Sequence, residues 1–257
     1  MIQPPLASTK ENIIYLYDGT LDGLLCCIYR SIKGRTDPCA IQPLDDYQPS
    51  LFACEEIITD EAQARTVGES IVNGISAEAM DLVSTCFLSC LDEKEDAILR
   101  FLRLGYANGK STMELIHHPD VAVLLAAQRH LLRERHLLLG FVRFSEYDGK
   151  LISVITPKNQ VLPFLASHFV SRFNTEEFLI YDKTHLSALV YQQGRACIIP
   201  MEDLVLPEVE QEEIFYQQLW KKFYHTIGIQ QRYNPKCRMT HLPKRYWCNM
   251  VEMQDLL

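Results

Sequence analysis

"FVRFSEYDGKLISVITP", residues 141–157, is where the hydrophobic period of this 257-residue chain changes, and the fold class turns on it. Before it, apolar residues recur three and four apart. Within it they alternate with polar ones on either side of Asp148-Gly149, the signal of two antiparallel strands joined by a tight turn. Immediately upstream, residues 121–139 predict a helix. With Leu124 at zero and about 100° per residue, Val121, Leu125, Leu131, Leu132, Leu138 and Leu139 share one broad apolar face. Gln128 and Arg135 fall near its middle. A charge there is costly to bury unless paired, so Arg135 is expected either to meet a core carboxylate or to lie in a cleft. Arg129, Arg133 and His136 read as a solvated flank.

Further upstream, residues 61–108 are helical in pattern with breaks near Gly74 and Asp92. "NIIYLYDG" (12–19) reads as a strand, "TLDGLLCCIYRSIKG" (20–34) as a helix with Thr20 as N-cap, "RTDPCAIQPLDDYQPS" (35–50) as a Pro-containing loop, and "CEEIITD" (54–60) as a short strand. Downstream, "QVLPFLASHFVSRF" (160–173) predicts a helix, and residues 177–200 predict three strands with turns near Lys183 and Gly194. Helices first and hairpins later predict an α+β fold. Its sheet is expected to be mainly antiparallel, built from hairpins of the C-terminal half and packed with a helical layer from the N-terminal half. One domain is expected over 1–257, helix-rich to about 139, with the sheet and a basic segment from about 140.

An apolar content of 47 % is ordinary for a globular chain, and no run approaches the roughly 20 apolar residues a membrane span needs. Nine cysteines, an odd number without close C-x-x-C pairs, predict reduced, mostly buried thiols and a cytoplasmic location, and the first residues do not read as a secretory signal. No metal and no cofactor is predicted; Cys237, His241 and Cys248, with His225, are a weak metal alternative.

Charge is distributed unevenly. Between Ile214 and Val251 there are seven Lys or Arg and no Asp or Glu, so a net −8 for the chain leaves −15 for the remainder. The same window holds eight aromatics, including both tryptophans. Cations neutralise phosphates and aromatic faces stack on bases, a mixture suited to single-stranded or distorted nucleic acid. Periodicity through Phe215, Leu219, Phe223 and Ile227 predicts instead that several of these aromatics are core. Arg232, Lys244, Arg245, Tyr246 and Trp247 remain as surface candidates, with Arg135, Arg143 and Arg172 as further cations. Residues 202–213 carry six acids, Glu202, Asp203, Glu208, Glu210, Glu212 and Glu213, which read as a solvated face or a negative fence.

"LYDGTLDG" invites comparison with the D-x-D-G-T phosphatase strand end, but Leu16 stands where the nucleophile is required. Walker A, G-x-G-x-x-G, H-E-x-x-H, G-x-S-x-G and zinc-deaminase patterns are all absent from the sequence. The remaining acid–base candidates are Asp182 and His185 in "YDKTH", and His168 one turn before Arg172.

Taken together, "YDGTLDGLLCCIY", "RHLLRERHLLLGFVRF", "PFLASHFVSRF", "FLIYDKTH" and "LWKKFYHTIGIQQRYNPKCRMTHLPKRYW" resemble a bacterial family of DNA metabolism or repair proteins whose domain has no established function. Members are typically encoded beside a radical-SAM protein thought to act on DNA, and the domain also occurs joined to uracil-DNA-glycosylase-like modules. The resemblance implies a nucleic-acid-binding accessory with DNA and a radical-SAM protein as partners. Two other readings stand beside it: an enzyme acting on a flipped base or nucleoside through Asp182, His185 or His168, and a protein-docking subunit without DNA affinity.

Overall fold

The computed structural model describes residues 10–207, 209 and 211–256, so Glu208 and Glu210 of the acidic stretch lie outside the described residues. The chain divides into two compact units, Met1–Leu131 and Leu132–Leu257.

The first unit opens with β1 (Lys10–Tyr17), α1 (Leu21–Gly34), β2 (Asp37–Pro43) and β3 (Ala53–Glu56), and the strands form a parallel sheet in the order β2-β1-β3. This sheet and strand β2 correct the sequence reading, which took 35–50 for a loop. The prolines that suggested a loop, Pro38 and Pro43, lie in an edge strand, where a missing N–H is tolerated. Central β1 instead buries the unbroken run Ile14, Tyr15, Leu16 and Tyr17, as a parallel strand covered on both faces does. As expected, Thr20 caps α1, its Oγ1 accepting from Gly23 N at 3.0 Å. Asp18 then fixes the strand-to-helix turn by accepting from Thr20 N, Thr20 Oγ1 and Thr59 Oγ1 at 3.0, 2.7 and 2.8 Å.

Three helices follow, α2 (Glu61–Gly74), α3 (Ala77–Phe87) and α4 (Lys94–Asn108), broken where the sequence pattern breaks, and α5 (Pro119–Phe141) begins. Leu24, Ile28, Ile71, Leu82, Ile98, Phe101, Leu102 and Leu124 close the core with Tyr15 and Tyr17. Asp96 is held at its margin, and burial raises its carboxyl from 3.8 to about 6. A carboxyl raised on folding weighs against the fold once pH passes the unfolded value, and fully so above the folded one. Asp96→Asn is therefore expected to stabilise the protein at pH 7 by on the order of 1 kcal/mol, discounted for partial exposure. The gain should fade as pH falls through about 6 to 4. Urea unfolding of both proteins at pH 4 and 7 checks this; equal stability at pH 7 contradicts it.

The second unit contains the end of α5, then β4 (Ser145–Tyr147), β5 (Lys150–Ile155), α6 (Leu162–Arg172), β6 (Phe178–Asp182), β7 (Ser187–Gln192) and β8 (Arg195–Pro200). They form a five-stranded sheet in chain order, antiparallel at every pairing except β5 with β6. The sheet is thus mixed rather than purely antiparallel, because α6 carries the chain across between two strands that run the same way. The turn at Asp148-Gly149 forms as expected, with φ of 48° and 73°, the left-handed pair a two-residue hairpin requires. Two further helices, α7 (Gln211–Ile227) and α8 (Pro235–His241), precede a 3-10 segment, Lys244–Asn249. Leu138, Ile155, Leu165, Phe169, Phe178, Ile180 and Leu189 make the core, with Tyr246, Trp247, Met250 and Met253. Each unit therefore carries its own sheet and core within the expected α+β class; the two strands expected in the first half pair with β2 into a sheet of their own.

Candidate nucleic-acid interface

Tyr246 and Trp247, expected at the surface as stacking aromatics, are each only 2 % exposed. They sit where the 3-10 segment folds back into the apolar core, and Trp247 Nε1 donates to Leu242 O at 3.0 Å. Neither ring offers a free face to a base. Beside them Glu134 on α5, 1 % exposed, collects donors from two segments. It accepts from Lys158 N, Asn159 N and Tyr246 OH at 3.1, 2.8 and 3.0 Å and pairs with Arg245 at 2.8 Å. Arg245 also donates to Tyr246 OH. Burial works to raise the Glu134 carboxyl, but the backbone donors, the Asn159 amide and Arg245 outweigh it and hold the group below its ordinary value. Arg245 is accordingly a structural cation more than a free one.

Arg143 is neutralised in the same way, donating to Glu252 at 3.1 and 2.7 Å. Arg135 is half-buried and its Nε donates to Phe164 O at 3.1 Å, a backbone carbonyl rather than the core carboxylate expected; Glu134, one position earlier on the helix, pairs with Arg245 instead. Arg172 is exposed at the end of α6, over Phe173.

Two cations of the basic window, Arg232 and Arg238, line a cavity of about 1250 Å³ formed by the end of α7, the 3-10 turn Gln230–Arg232 and the start of α8. Tyr224, His225, Arg232, Tyr233, Asn234 and Arg238 line it, and no carboxylate is among the described residues of its lining. Asn234 is spent as the cap of α8, accepting from Cys237 N at 3.0 Å. Pro235 at the first helical position sets the same start. Tyr233 is 66 % exposed. The Arg238 guanidinium lies 5.6 Å from the Tyr233 ring centroid and 5.2 Å from that of Trp247, and its buried Nε has no hydrogen-bond partner among the described residues. Lys244 lies over Trp247 as well, at 5.6 Å. Of the predicted set, Arg232 lines the cavity; Lys244 shares the Trp247 ring with Arg238 but does not line it. Arg135, Arg143 and Arg172 do not line it. Tyr233 and Arg238 were counted in the basic, aromatic window but not singled out; the signal was the N-P capping pair that follows Tyr233.

Asp182 and His185 do come together. Asp182, at the end of β6 and 1 % exposed, accepts from Thr184 N at 2.9 Å and meets His185 Nδ1 at 2.7 Å. The carboxylate both closes the turn and orients the ring. His168, half-buried on α6, lies edge-on to Phe169 and belongs to neither arrangement. No group of three or more His, Cys, Asp or Glu side chains among the described residues is placed to hold a metal ion. Nor is any described helix long and apolar enough to cross a membrane.

An α+β chain with a cation- and tyrosine-lined cavity is the class of protein these features define. The chain belongs to the family described as a domain of unknown function, DUF4130, whose model matches residues 92–252. No curated protein matches it.

Proposed function

We propose that this protein is a DNA-repair or DNA-metabolism accessory that holds single-stranded or unstacked DNA at the Arg232–Tyr233–Arg238 cavity, working with a radical-SAM partner. The observation that carries the reading is the cavity itself, two arginines and a two-thirds-exposed tyrosine with no carboxylate among the described residues of its lining. Arg232 and Lys244 supply phosphate neutralisation, and Tyr233 with Arg238 supplies a face for a base. The partner rests on the resemblance given above. The remaining chain carries a strong negative excess, which disfavours non-specific duplex binding and favours a local, strand-selective contact.

Fluorescence anisotropy with labelled single-stranded and duplex DNA across a salt series tests this. Single strands are expected to bind more tightly. Tyr233→Ala should weaken binding about tenfold or more, and Arg232→Ala should also lower the salt slope by about one. Single-strand binding unchanged in both variants refutes the cavity. No binding at low salt, with co-purification of another protein that survives nuclease, favours the docking-subunit reading instead.

A second reading, an enzyme acting on a flipped base, is favoured by the Asp182–His185 pair, whose carboxylate orients an imidazole that is 21 % exposed. Turnover of uracil-containing DNA by the pure protein, lost in His185→Gln, would establish it; absence of turnover removes it.

A further inference from the structure

Helix α7 is inside out. Its half-buried residues are Glu213, Gln217, Lys221 and Tyr224, all on one stripe. Glu213 accepts from Glu146 N at 3.2 Å, and Gln217 donates to Ser145 Oγ at 3.2 Å. The residues turned outward are the apolar ones: Phe215, Tyr216, Leu219, Trp220, Phe223 and Ile227 are 56, 55, 45, 40, 51 and 59 % exposed. At about 100° per residue they occupy an arc of roughly 140°. The sequence pattern predicts this face to be core, and its periodicity is that of a buried face; Trp220, at its edge, lies under the Arg143 guanidinium at 5.6 Å, while the other five side chains stay about half exposed.

We infer that this face is covered by α7 of a second copy of the same chain, packed antiparallel about a two-fold axis near Leu219. Three features select that occupant. The first is spacing: Glu212, Tyr216, Leu219, Phe223 and Thr226 alternate four and three apart, the seam of a short two-helix pair, and a two-fold at Leu219 sets Phe215 against Phe223 of the other copy. Charge is the second. The exposed acid at the start of the helix is Glu212 and the exposed cation near its end is Lys222, so an antiparallel pair brings the acid of one copy toward the cation of the other, whereas a parallel pair would set like against like. Area is the third. Aromatic side chains bury about 150–250 Å² when covered, so six half-exposed residues offer on the order of 600 Å². Doubled by symmetry, that passes the roughly 1,000 Å² a specific interface needs, and it lies at the upper end of the largest apolar patch seen on monomers, about 300–600 Å².

The interface can be tested apart from the DNA reading, because although Ile227 at the end of the face also lines the Tyr233 cavity, Glu212, Leu219 and Lys222 do not. Sedimentation velocity of the full chain, over a range of concentrations, should give a dimer for the wild type and a monomer for Leu219→Glu, with unchanged far-UV circular dichroism. Glu212→Lys or Lys222→Glu alone should raise the dimer Kd about threefold, and the double exchange should restore it. A wild type that stays monomeric to its solubility limit overturns the inference, as does a Leu219→Glu protein that remains dimeric. A double exchange that fails to recover affinity overturns the antiparallel arrangement.

Discussion

Replacing Glu134 with alanine will destabilise the second unit by about 3–5 kcal/mol, the cost of leaving a buried cation and several donors without their acceptor. Arg245 would lose its carboxylate, Tyr246 OH its acceptor, and Lys158 N and Asn159 N theirs, all within a site where Glu134 is 1 % exposed. Glu134→Gln should lose less, since the amide still accepts. The same carboxylate sets an acid limit. Its folded pKa lies below the ordinary 4.5, so its contribution is complete above that value and is lost as pH falls from 4.5 through the folded value. Chemical denaturation of wild type and Glu134→Gln between pH 3 and 7 should show the difference shrinking at the acid end. A Glu134→Ala protein as stable as wild type would mean that the network contributes nothing.

Trp247→Ala is expected to cost about 3–5 kcal/mol by opening a cavity in the core. The residue is 2 % exposed and packs with Tyr246, Met250 and Met253, while its outer rim carries Arg238 and Lys244. The variant should therefore lose the cooperative thermal transition of the second unit, and any loss of DNA affinity should accompany that unfolding. Tyr233→Ala, at an exposed ring, should leave the transition in place. A Trp247→Ala protein that melts like wild type yet fails to bind DNA would return Trp247 to the role of a stacking surface.

Much of the fold was legible because periodicity and punctuation agreed. Asp148-Gly149, Thr20 ahead of an apolar helix, and the breaks near Gly74 and Asp92 all mark real boundaries. Strand β2 was hidden because its two prolines argue for a loop unless the strand is known to be an edge, and edge status belongs to the sheet rather than to the segment. The tail was misread in both directions for one reason. Composition says that Tyr246 and Trp247 resemble a nucleic-acid surface and that Phe215, Leu219 and Phe223 resemble a core face. Which of two apolar sets is buried depends on long-range closure, and here the order is reversed. Glu134 drew no notice for a similar cause: a glutamate among leucines on a helix looks solvated until its distant partners are known.

Those partners lie far along the chain. Tyr246 reaches back 112 residues to Glu134, and Arg143 is paired 109 residues onward with Glu252. The first unit, by contrast, is assembled from neighbouring strand–helix–strand pieces. During synthesis on the ribosome, the first unit has all its core residues early, whereas the second keeps an open apolar core until Trp247 and Met253 emerge. At about 5–20 residues per second the hundred-odd residues between α5 and that closing segment represent many seconds of exposure. It is in that interval that the apolar core of the second unit is most open to aggregation.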